Sequence, residues 1–223
     1  MTFLFLPMTS PRQITCSILS PLLLSSCSLL DRGATQRIVR VKALADPRLR
    51  QENFRWEEEV RGLIEAASDY FEREFGIRLI TQKVAPWPPN EKITSMPSLM
   101  SRLKSEVPLR DADGAYDLVV AFTRERVNFY FGGRARVDRI GNCREGLGNY
   151  VVSHVAALFR YLGPRAEPDL EVVALIHELG HIFGAEHVQD TGSIMHENFD
   201  YRSEFDKKNR EIILKNRLCP FGR

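Results

Sequence analysis

The chain has 223 residues, 43% of them hydrophobic and 27% charged, enough to bury one sizeable core and not obviously two. Its 31 lysines and arginines against 29 aspartates and glutamates leave a formal charge of +2, with no long cationic run to follow a phosphate backbone. These figures argue against a nucleic-acid partner.

Residues 1–26 read as a signal peptide. The one cation before Asp31 is Arg12, and it precedes "QITCSILSPLLLSSCS", an apolar stretch too short and too interrupted to span a bilayer comfortably. Leu24 to Cys27 resembles the lipobox of bacterial lipoproteins, whose cysteine becomes lipidated and N-terminal after cleavage. The mature chain then begins at Cys27 and is held on the periplasmic or cell-surface face of a bacterial membrane. An ordinary secretory signal with a coincidental cysteine is the alternative, and either version exports the protein. Residues 27–36 form a tether and 37–223 the folded domain. With Cys16 lost and Cys27 lipidated, Cys143 and Cys219 remain, as one disulfide in an oxidising compartment or as two buried thiols.

"RIVRVKAL", Arg37 to Leu44, alternates as a first strand. A long amphipathic helix follows, with Val60, Leu63, Ile64, Ala67, Phe71 and Phe75 on one face, Asn53 as its cap and Gly76 as its stop. "IRLITQKVA" is a second strand, ended by "PWPPN". A short helix capped by Ser95, with Pro97 in its first turn, closes at Pro108. "RDADGAYD" lacks the spacing of a calcium loop and reads as a turn before the buried strand "YDLVVAF". "YFGGRARVDRI" suits an exposed edge strand and "GNYVVSHVAAL" another apolar one. Strands alternating with helices indicate an α/β layer with a mostly parallel sheet. "EFDKKNREIILKNRL" is a C-terminal helix packing Phe205, Ile212, Ile213 and Leu214.

"PDLEVVALIHELGHIFG" is apolar on nearly every side, the mark of a buried helix, with Pro168 near its first turn and Gly184 at its end. His177 and His181 are four residues apart, so both imidazoles leave one face, and Gly184 lets the chain turn back to bring in His187. Three nitrogens leave a fourth tetrahedral position for water, the arrangement of a catalytic zinc. Glu178 projects about 100° away around the helix and is assigned as general base, drawing the proton from that water and passing it to the leaving amine. His154 and His196 fit no ligand pattern and are assigned to structure or surface, and Glu186 to solvent.

The segment "HELGHIFGAEHVQDTGSIMH" resembles the metzincin metallopeptidases, with Met195 at the distance of their Met-turn, and Asp190, Gly192 and Met195 placed as in the matrixins. Val188 departs from the residue that usually follows the third histidine, and Glu197 stands where some subfamilies carry a tyrosine ligand. The resemblance implies a metzincin-like catalytic domain with a mixed, mostly parallel twisted sheet. It also implies that a peptide or protein substrate pairs with the edge strand from Gly132 to Val137, and that His196 to Tyr201 walls a pocket. The resulting expectation is a zinc endopeptidase. Its rivals are a zinc aminopeptidase, which needs a carboxylate for the substrate's amine, and a zinc-containing binding module, which has no use for Glu178.

Overall fold

The alternation in Arg37 to Leu44 produces β1 (Arg37–Ala45), and Asp46 at its end accepts from the Leu49 N–H to start a six-residue helix, α1 (Pro47–Glu52). In this computed structural model the described residues are 36–87, 95–124, 134–166, 169–198 and 204–222. The expected signal, the lipobox at Cys27, Cys16, Pro88 to Asn90, Gly132, Gly133, Pro168 and Tyr201 lie outside them, as does the tether apart from Gln36.

The long helix is α2 (Trp56–Phe75), stopped as expected by Gly76 at φ 69°. Asn53 does not cap it. That residue instead closes α1, and Arg55 holds the cap position of α2 without a side-chain bond. The reason is the preceding Asp46-Pro47 start, which spends the chain up to Glu52 on a separate short helix. Asn53 then organises the corner, accepting from the Arg55 N–H at 2.8 Å and donating to Glu59 at 2.7 Å. The first turn of α2 carries Glu57, Glu58 and Glu59, which suit the positive end of the helix dipole.

β2 (Ile77–Pro86) follows, then α3 (Met96–Glu106), where the Ser95 hydroxyl accepts from the Ser98 N–H. The "RDADGAYD" turn is a two-rung hairpin, β3 (Arg110–Asp111) with β4 (Gly114–Ala115). Lys42 at 2.7 Å and Lys83 at 3.2 Å bind Asp111, holding its carboxyl well below the usual range. That aspartate is already neutralised by the protein's own cations. The remaining elements are β5 (Leu118–Thr123), β6 (Ala135–Val137), β7 (Tyr150–His154), α4 (Leu170–Ile182) and α5 (Lys207–Asn216).

The sheet runs β2-β1-β5-β7-β6, parallel throughout except for β6, which lies antiparallel to β7 at one edge. One face packs Val39, Val41, Val120 and Val151 against α2 and α4. The other packs Leu44, Val119, Ala121 and Val152 against Met96, Leu99 and Leu103 of α3. Each buried valine, leucine or methionine among them contributes about 1.5–3 kcal/mol by leaving water. A disulfide joins Cys143 to Cys219, 76 residues apart with Cα atoms at 5.0 Å, and so ties the chain after α5 to the loop after β6. Among the described residues no helix is long and apolar enough to cross a membrane.

Candidate zinc site

Because α4 is apolar on nearly all sides it runs through the core, and its two histidines are carried in with it. His177 is 2% exposed and His181 6%. Their rings are pinned from behind. The His177 Nδ1–H donates to the Ile194 carbonyl at 2.7 Å, and the His181 Nδ1–H to the Ala185 carbonyl at 2.7 Å. With the proton on Nδ1, each neutral ring points a bare Nε2 lone pair forward.

The third ring arrives by a chain reversal. Gly184 adopts φ 97°, and a Cβ there would stand 2.5 Å from Asn216 Nδ2 and 2.6 Å from the Gly141 carbonyl, so only glycine fits. The Ala185 N–H closes the turn onto the Gly180 carbonyl at 2.9 Å. His187 then places its Nε2 3.1 Å from those of both His177 and His181, which are themselves 3.1 Å apart. Lone pairs gathered so closely repel unless a cation lies among them. Three nitrogens at this spacing are all reached at the usual zinc to nitrogen distance of about 2.0–2.1 Å. The donor set therefore fits a metal ion, and the three histidines are a group able to hold one.

Burial keeps the helix histidines in the neutral form that ligation requires. It pushes His177 down to about 3, with the neighbouring His181 adding to the effect, and His181 down to about 4. Glu178 is buried on another side of α4, where desolvation pushes it up to about 8. The Arg136 charge and the Val137 backbone N–H, both from β6, oppose that rise. The carboxyl next in sequence to His177 thus lies buried against the edge strand.

Met195 is fully buried, and its sulfur would stand 2.8 Å from a Cβ added at Gly180, which accounts for the glycine inside "HELGH". The turn around it is tied back, with the Val188 N–H donating to the Met195 carbonyl and the His196 N–H to the Ser193 carbonyl, both at 3.1 Å. His154 ends β7 outside the triad, His196 accepts from the Asn198 N–H, and the exposed Glu186 pairs with Lys208.

Sequence reasoning passed over the groups that hold the third histidine. Asn209 of α5, wholly buried, donates to the Glu186 carbonyl and accepts from the Glu186 N–H, each at 2.9 Å, so it clamps the residue before His187. Asp206 caps α5 through the Asn209 N–H at 3.0 Å and accepts from the Ser193 hydroxyl at 2.8 Å, which in turn accepts from the Met195 N–H at 3.1 Å. One signal was available. Asn209 and Asn216 occupy the same buried stripe of α5 as Ile213, and polar residues on a buried stripe have partners.

Comparison with known proteins follows the same line. Residues 35–213 match the family Reprolysin_5, metallo-peptidase family M12. No curated protein matches the chain. Among solved structures, archaemetzincin from Methanopyrus kandleri superposes with a TM-score of 0.51 at 20% identity, over 80% of this chain and 94% of that one. A chain from a chaperone-substrate complex gives 0.52 at 12% identity, over 80% of this chain and 33% of that one. At these identities the structural likeness is one of fold. The matching family is a reprolysin-type one, whereas the segment from His187 to Met195 taken alone resembles the matrixins. The chain belongs to metallopeptidase family M12 and is a zinc-dependent metallopeptidase of the metzincin type.

Proposed function

We propose that the protein is an exported endopeptidase in which His177, His181 and His187 bind the zinc and Glu178 is the general base. The observation that carries this reading is the meeting of three imidazole Nε2 atoms at 3.1 Å beside a buried carboxylate. Zinc held there supplies Lewis acidity, polarising the scissile carbonyl and making water a better proton donor. Glu178 takes the proton from the attacking water and hands it to the leaving amine nitrogen, so no covalent intermediate with the protein forms. Desolvation, which makes its carboxylate reluctant to stay charged, also makes it a stronger base.

The edge strand β6 is the natural seat for an extended peptide. The Arg134 carbonyl and Asp138 N–H that flank it bond to β7, at 2.8 and 3.1 Å, so by antiparallel alternation the backbone groups of Ala135 and Val137 point outward, the Val137 N–H toward Glu178 and the others toward the open edge. An incoming segment adds there as a further strand. An aminopeptidase needs a carboxylate for the substrate's terminal ammonium. The described part of this edge carries exposed cations instead, Arg134 and Arg136, which favours internal cleavage.

The disulfide supports export to an oxidising compartment, and the lipobox reading adds an anchor at Cys27. Cys27→Ser is expected to move the protein from the membrane to the soluble fraction, and continued membrane fractionation would refute the anchor. Cleavage specificity is tested with a quenched-fluorescent peptide library and the zinc-loaded protein. Internal cuts are expected, and stepwise release of N-terminal residues would replace the endopeptidase reading by the aminopeptidase one.

A further inference from the structure

From the geometry of β6 we infer that Arg136 selects acidic side chains in the substrate, at one position on the sheet face opposite the histidines. This rests on the proposed binding of an extended peptide along that strand. Arg136 is paired in register with Val152, which belongs to the α3 side of the sheet, while its neighbour Val137 is paired with Val151 on the α4 side. Its side chain therefore leaves the face opposite α4, is exposed, and forms no ion pair among the described residues, though at this sheet edge its charge is still felt by Glu178. Two residues earlier, Arg134 is exposed on the same face.

Strand geometry then fixes which substrate residue Arg136 meets. In a peptide laid antiparallel, the residue opposite Ala135 exchanges backbone hydrogen bonds with it, and the residue opposite Val137 donates to the Val137 carbonyl, the Val137 N–H being held by Glu178. The residue opposite Arg136 falls in a non-hydrogen-bonded pair, the arrangement in which facing Cα atoms approach to about 4.5 Å and side chains lie closest. Successive side chains alternate between faces, so this residue points away from α4 while both its neighbours point toward it. Selection by charge thus operates on the alternate positions that the catalytic face leaves unread. A carboxylate there gains a cross-strand partner, and a lysine or arginine meets like charge.

The test uses quenched-fluorescent peptides identical except for Glu, Gln or Lys scanned through the positions flanking the bond cut, with the zinc-loaded protein at low salt. At one position the wild type is expected to prefer Glu over Lys by about two- to five-fold in kcat/KM, carried in KM, and to lose the preference as salt rises. Arg136→Gln removes it and Arg136→Glu inverts it, with melting temperature unchanged because the side chain is on the surface. An unaltered Glu to Lys ratio in both variants overturns the inference. Anisotropy of the same peptides on zinc-loaded Glu178→Ala, with and without Arg136→Gln, separates the two readings. Charge-selective binding that needs Arg136 but leads to no hydrolysis in the wild type would sink the proposed endopeptidase activity alone. Binding indifferent to charge would sink the selectivity alone.

Discussion

Two of the three histidines ride on a buried helix and the third hangs from an exposed loop, and the protein holds them by different means. His177 and His181 need only the backbone of α4, whose apolar sides fix its depth, and a carbonyl behind each ring. Among the described residues His187 has neither, and its position is borrowed from α5 through Asn209 and Asp206 and from the turn at Gly184. The contrast teaches that the helix pair is a property of a local element, whereas the place of the third histidine is a property of the whole fold. It also gives the loop its own failure mode, in which metal is lost while the core stays folded.

The widest separation is expected between ligand deletions on the two sides. His177→Ala and His187→Ala should each weaken zinc binding by at least about 10³-fold, since each removes one of three nitrogens. Only the first should also destabilise the metal-free protein, by about 1–3 kcal/mol, because it strands the buried Ile194 carbonyl. Equal melting temperatures for the two metal-free variants would erase the distinction. Asn209→Ala leaves both backbone groups of Glu186 without their side-chain partner, and zinc affinity should fall about 10- to 100-fold by competition with a chromophoric chelator. If affinity is unchanged at an unchanged fold, α5 does not position the loop.

Acid sharpens the same comparison. His177 and His181 titrate at about 3 and about 4 in the folded metal-free chain, below the unfolded value of about 6.5. Between those values the unfolded chain holds more protons. Stability is therefore complete above about pH 6.5 and declines as pH falls toward 4, a slope that His177→Ala should reduce in urea titrations. The smallest effect on the site belongs to the disulfide. Replacing Cys143 and Cys219 by serine should cost about 2–5 kcal/mol of stability while zinc affinity changes less than about two-fold. A large loss of zinc would mean that the bridge, and not the α5 clamp, supports the loop.

The same division decides how much could be read from the sequence. The pairing of the helix histidines on one face and the stop at Gly76 were legible because each depends on residues within one or two turns. The α/β class, the edge strand and the buried α4 followed from periodicity for the same reason. The helix α1 was not, since it buries a single residue, Leu49, and leaves no apolar stripe to detect. Neither was the Asn209 clamp, whose partner lies 23 residues earlier in the chain, nor the need for glycine at position 141, where a Cβ would meet the Ile182 carbonyl of α4 at 2.0 Å. Such contacts exist only once the sheet and helices are assembled.

The role of Glu178 is tested most directly by comparing wild type with Glu178→Ala and Glu178→Gln, each loaded with one equivalent of zinc, on a peptide that the wild type cuts internally. Full zinc content and an intact fold are expected in both variants, with kcat reduced by about 10²- to 10⁴-fold, the span a positioned acid–base group contributes. Turnover near that of wild type in a zinc-loaded Glu178→Ala protein would contradict that role, and the base would have to be sought elsewhere along the β6 edge.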